Sequence, residues 1–445
     1  MAVTGRFVLL VAFGVAPVVV AGFSGAEAAW FALLGWLALS VGLGAIDLSL
    51  AASPRRVVLE RDLPPRVRLG ESVVSTLSIA NTGERMLRAT VRDGWEPSAG
   101  VDGANRSSVV VPAGERRSIR LRLQPRRRGD RRAEHVAIRA AGPLGLWSRQ
   151  ATLSSPGLLR VLPPFHSRVH LPARLTRLRE LDGRTPLLVR GQGTEFDSIR
   201  EYVRGDDVRS IDWRATARHV DPGARGSAKL MVRTWRPERD RRIVIVADTS
   251  RTAAARIADE PRLDTAWEST LLLSALATHA GDRVDFLAWD RRARARVTGA
   301  SGPHLLARLV DAMADVEAEL IEADWTGLPA QIRRITSRRA LVVLLTAADA
   351  PGSARGLLSV LPQLAARHTV IVASVLDPDT VADAARRDGV DDLYLAAASE
   401  RSNLDGERVA AAIRRSGAHT VSAAPRELPP ALADRYLDLK ASGLL

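Results

Sequence analysis

The chain has 445 residues, which at about 150 residues per domain predicts about three structural units. Its 46% hydrophobic and 26% charged residues are those of a folded protein, and the absence of cysteine excludes disulfides, cysteine zinc sites, iron–sulfur clusters and a thiol nucleophile. The formal net charge is +14, and all but two of the 64 basic residues are arginine; Lys229 and Lys440 lie in no Gly-x-x-x-x-Gly-Lys-Ser/Thr loop, which excludes a P-loop nucleotidase.

Arginine is spread along the chain among 50 acids, the pattern of a coding bias. Nucleic-acid surfaces gather their charge and interleave aromatics, which here are 4%, so nucleic acid is not an expected partner.

Two charge-free apolar stretches open the chain, residues 7–23 and 28–46. A spanning helix needs about 20 apolar residues, with a range of roughly 17 to 25, so both predict transmembrane helices. The connector Ser24-Gly25-Ala26-Glu27 makes the pair a hairpin over residues 1–53. Arg6 precedes it, and Arg55, Arg56 and Arg61 follow it, while the connector has no basic residue. The positive-inside rule then predicts a multi-pass protein of the cell membrane with its soluble domains in the cytoplasm. The rival reading takes Ala26-Glu27-Ala28 as a signal-peptide cleavage site; it leaves the second helix spanning with the same orientation.

Residues 54–171 read as a β-sandwich-like domain. Val73 to Ile79 alternates apolar and small polar residues and ends at Asn81-Thr82-Gly83; Val109 to Val111 ends at Pro112-Ala113-Gly114; Ile119, Leu121 and Leu123 alternate again. Residues 172–241 are dense in charges of alternating sign, suited to arginine–carboxylate pairs. From 242 to 445 strand and helix patterns alternate. Ile243 to Ala247 and Leu341 to Leu345 are continuous apolar runs, as strands covered on both faces should be. Further strands are expected at Val284 to Trp289, Thr369 to Val375 and His419 to Val421. Helices are expected at Leu263 to His279, His304 to Met313, Leu357 to Ala366 and Arg408 to Arg415. This predicts an α/β domain with a mainly parallel sheet, which binds ligands at the carboxyl ends of its strands.

The sharpest candidate site follows the first of these strands. Asp248, Ser250 and Thr252 offer three hard oxygen donors on one loop, the kind that magnesium prefers; Thr326 and Asp349 are further candidates. The plainer alternative is that Asp248 and Ser250 cap a turn. His166 and His170 are four apart, but Pro163, Pro164 and Pro172 argue against a helix there, and no glutamate lies between them. Asp206 and Asp207 read as ion-pair scaffolding rather than an acid–base pair. No nucleophile elbow or dinucleotide fingerprint is present, so a non-catalytic protein is expected.

Across Glu195, Phe196, Arg200, Tyr202, Gly205, Asp206, Asp207, Arg209, Ile211, Asp212, Trp213, Ala217 and Arg218, the sequence resembles the family called domain of unknown function 58. With the apolar hairpin, Arg128-Gly129 and the run Gly142-Pro143-Leu144-Gly145-Leu146, the resemblance covers nearly the whole chain. It implies a membrane-anchored, non-catalytic bacterial protein whose last domain is von Willebrand factor A-like. It also implies a MoxR-type AAA ATPase as partner, acting with it in the assembly or activation of client proteins. In that fold a metal-ion-dependent adhesion site uses Asp-x-Ser-x-Ser, a distant Thr and a distant Asp. Asp248, Ser250 and Thr252 match with one Ser-to-Thr change. Asp349 is displaced two positions from its usual place after Thr346, which implies a degenerate magnesium site. The competing readings are a structural scaffold without a ligand and a metal-dependent hydrolase using Asp248 with Asp206 and Asp207.

Overall fold

Alternating apolar residues build the strands of one unit, Met1–Pro164, and continuous apolar runs build those of the other, Phe165–Leu445. The computed structural model describes residues 2–184, 195–203, 206–218, 230–236, 241–258 and 260–445.

The first unit starts with a short strand, β1 (Ala2–Val3), and three helices, α1 (Gly5–Phe13), α2 (Val15–Gly22) and α3 (Ala26–Leu50). The helix expected over 7–23 is interrupted at Gly14. The Trp36 ring of α3 lies where a Gly14 side chain would be, and Trp36 Nε1 donates to the Leu10 carbonyl at 3.0 Å. The second helix runs past the charge-free stretch at both ends. It takes Glu27 into its first turn, where the helix dipole favours an acid, and it carries Asp47 near its end. The stretches Gly5–Gly22 and Ala26–Arg56 are each long and apolar enough to cross a bilayer.

Eight strands follow: β2 (Val57–Asp62), β3 (Arg66–Arg68), β4 (Val73–Asn81), β5 (Leu87–Trp95), β6 (Arg106–Val111), β7 (Arg116–Leu123), β8 (Gly129–Ala141) and β9 (Trp147–Leu162). They form two sheets. One has the order β1-β9-β8-β5-β6, with β3 beside β9, and the other the order β2-β4-β7. Strand alternation sends Leu77 and Ile79 of β4 inward to the cluster that Val91 of β5 and Val136 and Ile138 of β8 complete. A buried ion pair sits beside this core. Arg61 makes two 2.8 Å bonds to Asp93, and Trp95 Nε1 donates to the same carboxylate at 3.1 Å. The arginines are less evenly spread than the composition suggests. On β7, alternation turns Arg120 and Arg122 to solvent, and Arg116, Arg117, Arg126 and Arg127 are exposed beside them.

The second unit begins with α4 (Leu171–Arg184), β10 (Glu195–Glu201), α5 (Trp213–Arg218) and β11 (Met231–Arg236). Then come β12 (Arg242–Asp248), the short β13 (Arg256–Ile257) and β14 (Glu260–Pro261), α6 (Arg262–His279), β15 (Arg283–Trp289), β16 (Ala293–Val297), α7 (Pro303–Ala314) and α8 (Leu328–Ile335). The chain ends with β17 (Leu341–Leu345), α9 (Pro351–Ala365), β18 (Thr369–Val375), α10 (Pro378–Asp383), α11 (Val390–Arg415), β19 (His419–Ala423) and α12 (Leu428–Ala441).

The main sheet has the order β16-β15-β12-β17-β18-β19 and is parallel except for β16, which returns antiparallel on the edge. β12 and β17 are its two central strands. On one face Val244, Val246, Val342 and Leu344 pack on Leu328 and Ile332 of α8, Leu357 and Leu361 of α9, and Val409 and Ile413 of α11. On the other lies α6, whose Trp267 meets Phe286 of β15 edge-on at 5.7 Å. The sequence patterns did not single out α4, α8, β16 or α12, among other elements. α4 looks like a charged linker, because its anchoring bonds go to α12. Arg174 pairs with Asp434 at 2.6 Å and Arg177 with Asp438 at 2.7 Å.

Candidate functional site

β12 delivers Asp248 to the carboxyl edge of the sheet, where the Thr249 N–H donates to the Trp289 carbonyl at 2.9 Å. The Asp248 side chain is only 3% exposed. Its Oδ1 accepts the Ser250 N–H at 2.8 Å, and its Oδ2 accepts the hydroxyls of Thr252 at 3.0 Å and Thr346 at 2.6 Å. Ser250 Oγ and Thr252 Oγ1 are 3.2 Å apart. The loop thus gathers Asp248, Ser250 and Thr252.

Thr346 comes from the neighbouring strand, 98 residues away. Ala247 pairs with Leu345 in parallel register, so the next residue of each chain meets at the same edge. Strand register is the signal that would have found it.

Neither of the other two candidates bonds to Asp248 among the described residues. Thr326 is exposed and donates to Asp324 Oδ1 at 2.5 Å in the turn before α8. Asp324 also accepts the N–H groups of Thr326 and Gly327, and these bonds, the Thr326 hydroxyl first, hold its carboxyl below the usual aspartate range. Asp349 pairs with Arg262, the first residue of α6.

Arg262 changes the electrostatics of the site. Its side chain is 12% exposed, and it lines the same small cavity as Asp248, Thr346, Leu263, Val375 and Leu428. The cavity volume is about 20 Å³, space for about one water. Arg262 Nε is buried with no hydrogen-bond partner among the described residues. The oxygen donors suit magnesium by type. The arrangement does not fit it: a permanent cation lines the cavity that a second cation would have to enter. Among the described residues no cluster of three or more His, Asp or Glu could hold a metal ion.

Beside this edge Asp290 is fully buried. It accepts the Thr249 hydroxyl at 3.2 Å and Arg294 Nε at 2.6 Å. Burial pushes its carboxyl up, but the N–H groups of Arg292 and Arg291 and the Arg294 guanidinium carry it below the usual range.

The charged signature is a set of local bonds. Arg200 pairs with Asp206 at 2.7 Å, and Asp206 also accepts the Val203 N–H at 3.0 Å. Asp207 caps a turn by accepting the Arg209 N–H at 3.0 Å. Asp212 caps α5 through the N–H groups of Arg214 at 2.9 Å and Ala215 at 3.0 Å. It also takes Arg233 Nε of β11 at 2.7 Å. The Ala215 N–H and Arg233 together hold the Asp212 carboxyl below its ordinary value. Ile211 bridges Val232 of β11. The Tyr202 N–H reaches the Leu230 carbonyl at 2.7 Å. Glu195 and Phe196 lie on β10 opposite Arg236 and Trp235. Trp213, Ala217 and Arg218 are exposed on α5, and Gly205 lies outside the described residues. Asp206 and Asp207 are thus bound to different partners.

His166 and His170 bound one short 3₁₀ turn. His166 does not ligate with His170: its N–H and Nδ1 meet Glu268 Oε1 at 3.0 and 2.9 Å. Glu268 Oε2 accepts the Ser167 N–H at 2.7 Å. Nearby, burial pushes the Glu260 carboxyl up, and Glu268 and Asp264 add to that rise.

A protein with a mixed sheet, a carboxylate at its carboxyl edge and an arginine-paired signature is the class that fold and site define. The family model described as a protein of unknown function, DUF58, matches residues 198–419. Uncharacterized proteins of Mycobacterium tuberculosis and Mycobacterium bovis are 30% identical over 198 residues, 44% of this chain. The chain spans 58% of the length of these relatives. Among solved structures, an Escherichia coli alpha-2-macroglobulin fragment running from domain MG7 to the C-terminus matches 26% of this chain and 18% of its own, at 17% identity and a TM-score of 0.22. The CARDB domain of the PF1109 protein from Pyrococcus furiosus matches 24% of this chain and 94% of its own, at 15% identity and a TM-score of 0.17.

Proposed function

We propose that this is a membrane-anchored, non-catalytic interaction module that presents the carboxyl edge of its main sheet to a protein partner. The observation that carries the reading is the Asp248 cavity with the Arg262–Asp349 pair beside it. A buried carboxylate at the end of a central strand and a guanidinium at the start of α6 form a fixed electrostatic pattern. The cavity is far too small for an organic substrate. Arg262 takes the place of the divalent ion, so docking on this reading needs no magnesium. In this reading the apolar helices cross the membrane, and Arg6, Arg55 and Arg56 keep the soluble units on the cytoplasmic side. The family resemblance supplies the partner class, a MoxR-type AAA ATPase acting on client proteins, and with it a von Willebrand factor A-like character for the last domain.

The test is purification of the full chain from native membranes, once with magnesium and once with chelator. A stoichiometric ATPase in both samples, lost from Asp248→Ala and Arg262→Ala but kept by Asp207→Ala, is the expected result. Retention only with magnesium overturns the metal-free mechanism. Absence of any stoichiometric partner favours a second reading, a scaffold without ligands. That reading has its own support in Asp212, whose side-chain bonds among the described residues go to α5 and β11.

A further inference from the structure

We propose that the end of the first unit where its long apolar helices terminate binds the phosphate groups of anionic phospholipids, through Arg6, Arg55, Arg56, Arg85 and Arg149. This rests on the membrane-anchored reading and adds to it the lipid class and the residues that recognise it.

The geometry sets the depth. From Glu27 to Asp47, α3 rises about 30 Å at about 1.5 Å per residue, which is the thickness of a hydrocarbon core. The large side chains along this length face outward: Trp30, Phe31, Leu34, Leu39 and Ile46 are more than half exposed. A bilayer that covers them has one headgroup layer at Glu27 and the other at the last turn of α3.

The five arginines gather at that last turn. Arg149 Nε donates to the Leu48 carbonyl at 3.1 Å, and Arg85 Nη1 donates to the Ser49 carbonyl. Arg55 and Arg56 form the 3₁₀ turn that follows the helix. Arg6 Nη1 reaches the Leu144 carbonyl at 3.4 Å. A guanidinium has five N–H donors, so a single carbonyl bond leaves most of each fork free for a phosphate. Among the described residues the only carboxylate paired with this set is Glu84, 3.9 Å from Arg56 and 94% exposed.

Exposed apolar side chains stand at the same level: Leu144 on the loop that Arg6 touches, Met86 next to Arg85, and Val3 paired with Trp147. Apolar tips set among arginines suit the boundary between acyl chains and headgroups. A bulk water boundary leaves both the charge and the apolar tips uncompensated. A protein partner at this level would have to share the space with the bilayer that the helices require.

The test reconstitutes the full chain in phosphatidylcholine vesicles. These contain rising fractions of phosphatidylcholine or phosphatidylglycerol carrying brominated acyl chains, which quench tryptophan on contact. Trp30 and Trp36 on α3 and Trp147 beside its end are the reporters. The expected result is that phosphatidylglycerol displaces phosphatidylcholine with a relative binding constant of about 5, the factor for one basic residue at an anionic surface. In the triple variant Arg6→Gln, Arg55→Gln, Arg56→Gln the constant falls to about 1, and about 0.5 M salt lowers it in the unchanged protein. Equal quenching by both lipids in the unchanged protein overturns the proposal and leaves the anchor standing. A preference that survives in the triple variant overturns the assignment to Arg6, Arg55 and Arg56. Quenching by neither lipid overturns the membrane anchor itself. Unchanged quenching of the triple variant by brominated phosphatidylcholine shows that it still folds and inserts.

Discussion

Asp47 Oδ2, fully buried at the end of α3, accepts the backbone N–H of Leu146 at 2.7 Å across 99 residues of sequence. The same carboxylate takes the N–H groups of Leu144 at 2.7 Å and Trp147 at 3.1 Å. Thr4 holds the other side of this loop, its hydroxyl donating to the carbonyls of Gly145 at 2.6 Å and Leu146 at 2.8 Å. Gly142 has to lack a side chain, because a Cβ there would overlap the Asp47 carboxylate. The run Gly142-Pro143-Leu144-Gly145-Leu146 is the socket that fixes the apolar helices to the β-sheets.

Replacing Asp47 by alanine strands three backbone donors. Each charge-assisted bond contributes about 1.5–3 kcal/mol and a stranded buried donor costs about as much. Asp47→Ala is therefore expected to destabilise the first unit by at least about 3 kcal/mol, with Asp47→Asn intermediate. Thermal melting in detergent and protease cutting within residues 142–147 check this. Wild-type resistance in Asp47→Ala would show that the socket closes without the carboxylate.

The Asp212 cap carries a pH dependence. Its folded carboxyl lies below the ordinary value because the Ala215 N–H and Arg233 hold the charged form. A depressed acid adds stability that is fully present above the unfolded aspartate value, about 3.9, and is lost as pH falls through the folded value. Asp212→Asn should flatten the fall in melting temperature below about pH 4. Hydrogen exchange at Arg214 and Ala215 should rise in the variant at neutral pH, and unchanged protection there would contradict the capping role.

The cavity beside Asp248 makes a prediction about metal. With Arg262 in place, about 10 mM magnesium should leave the melting temperature of the full chain unchanged. Arg262→Ala removes the cation and leaves Asp248, Ser250, Thr252 and Thr346 as oxygen donors. Magnesium should then raise the melting temperature, because a ligand selective for the folded state adds about 2.7 kcal/mol of stability at a hundredfold excess over its dissociation constant. A magnesium shift in the unchanged protein would mean that Arg262 leaves the cavity to the ion.

The last helix is held by a buried polar cluster. Tyr436 donates to Asp282 Oδ2 at 2.5 Å, and Lys440 Nζ lies 3.3 Å from both carboxylate oxygens. Tyr436→Phe removes a donor from a buried carboxylate and should cost about 1–3 kcal/mol in chemical denaturation. Burial pushes the Asp282 carboxyl up, against the pull of Lys440 and Tyr436. A raised acid favours the folded state at low pH, and that contribution declines as pH climbs from about 3.9 through the folded value. Asp282→Asn should remove this decline, and stability that still falls over the same range in the variant would assign it to another group.

Periodicity alone made the central strands of the main sheet and several of its helices legible. The runs Ile243 to Ala247 and Leu341 to Leu345 are β12 and β17, five apolar residues each, as strands covered on both faces carry. The alternation from Val73 to Ile79 is β4, with one face in the core. Asp248, Ser250 and Thr252 could be grouped because they share one loop, and the arginine–carboxylate character of the signature was visible in its composition. The tertiary structure decided everything that depends on register and distant contact. Parallel pairing of β12 with β17 brought Thr346 to Asp248, the turn before α8 kept Thr326 with Asp324, and the start of α6 put Arg262 beside Asp349. Asp47 reads in sequence as the acid that ends an apolar stretch. Only the folded loop of Gly142 to Trp147 makes it a buried acceptor, because backbone N–H groups converge by chain geometry and leave no mark in the order of residues.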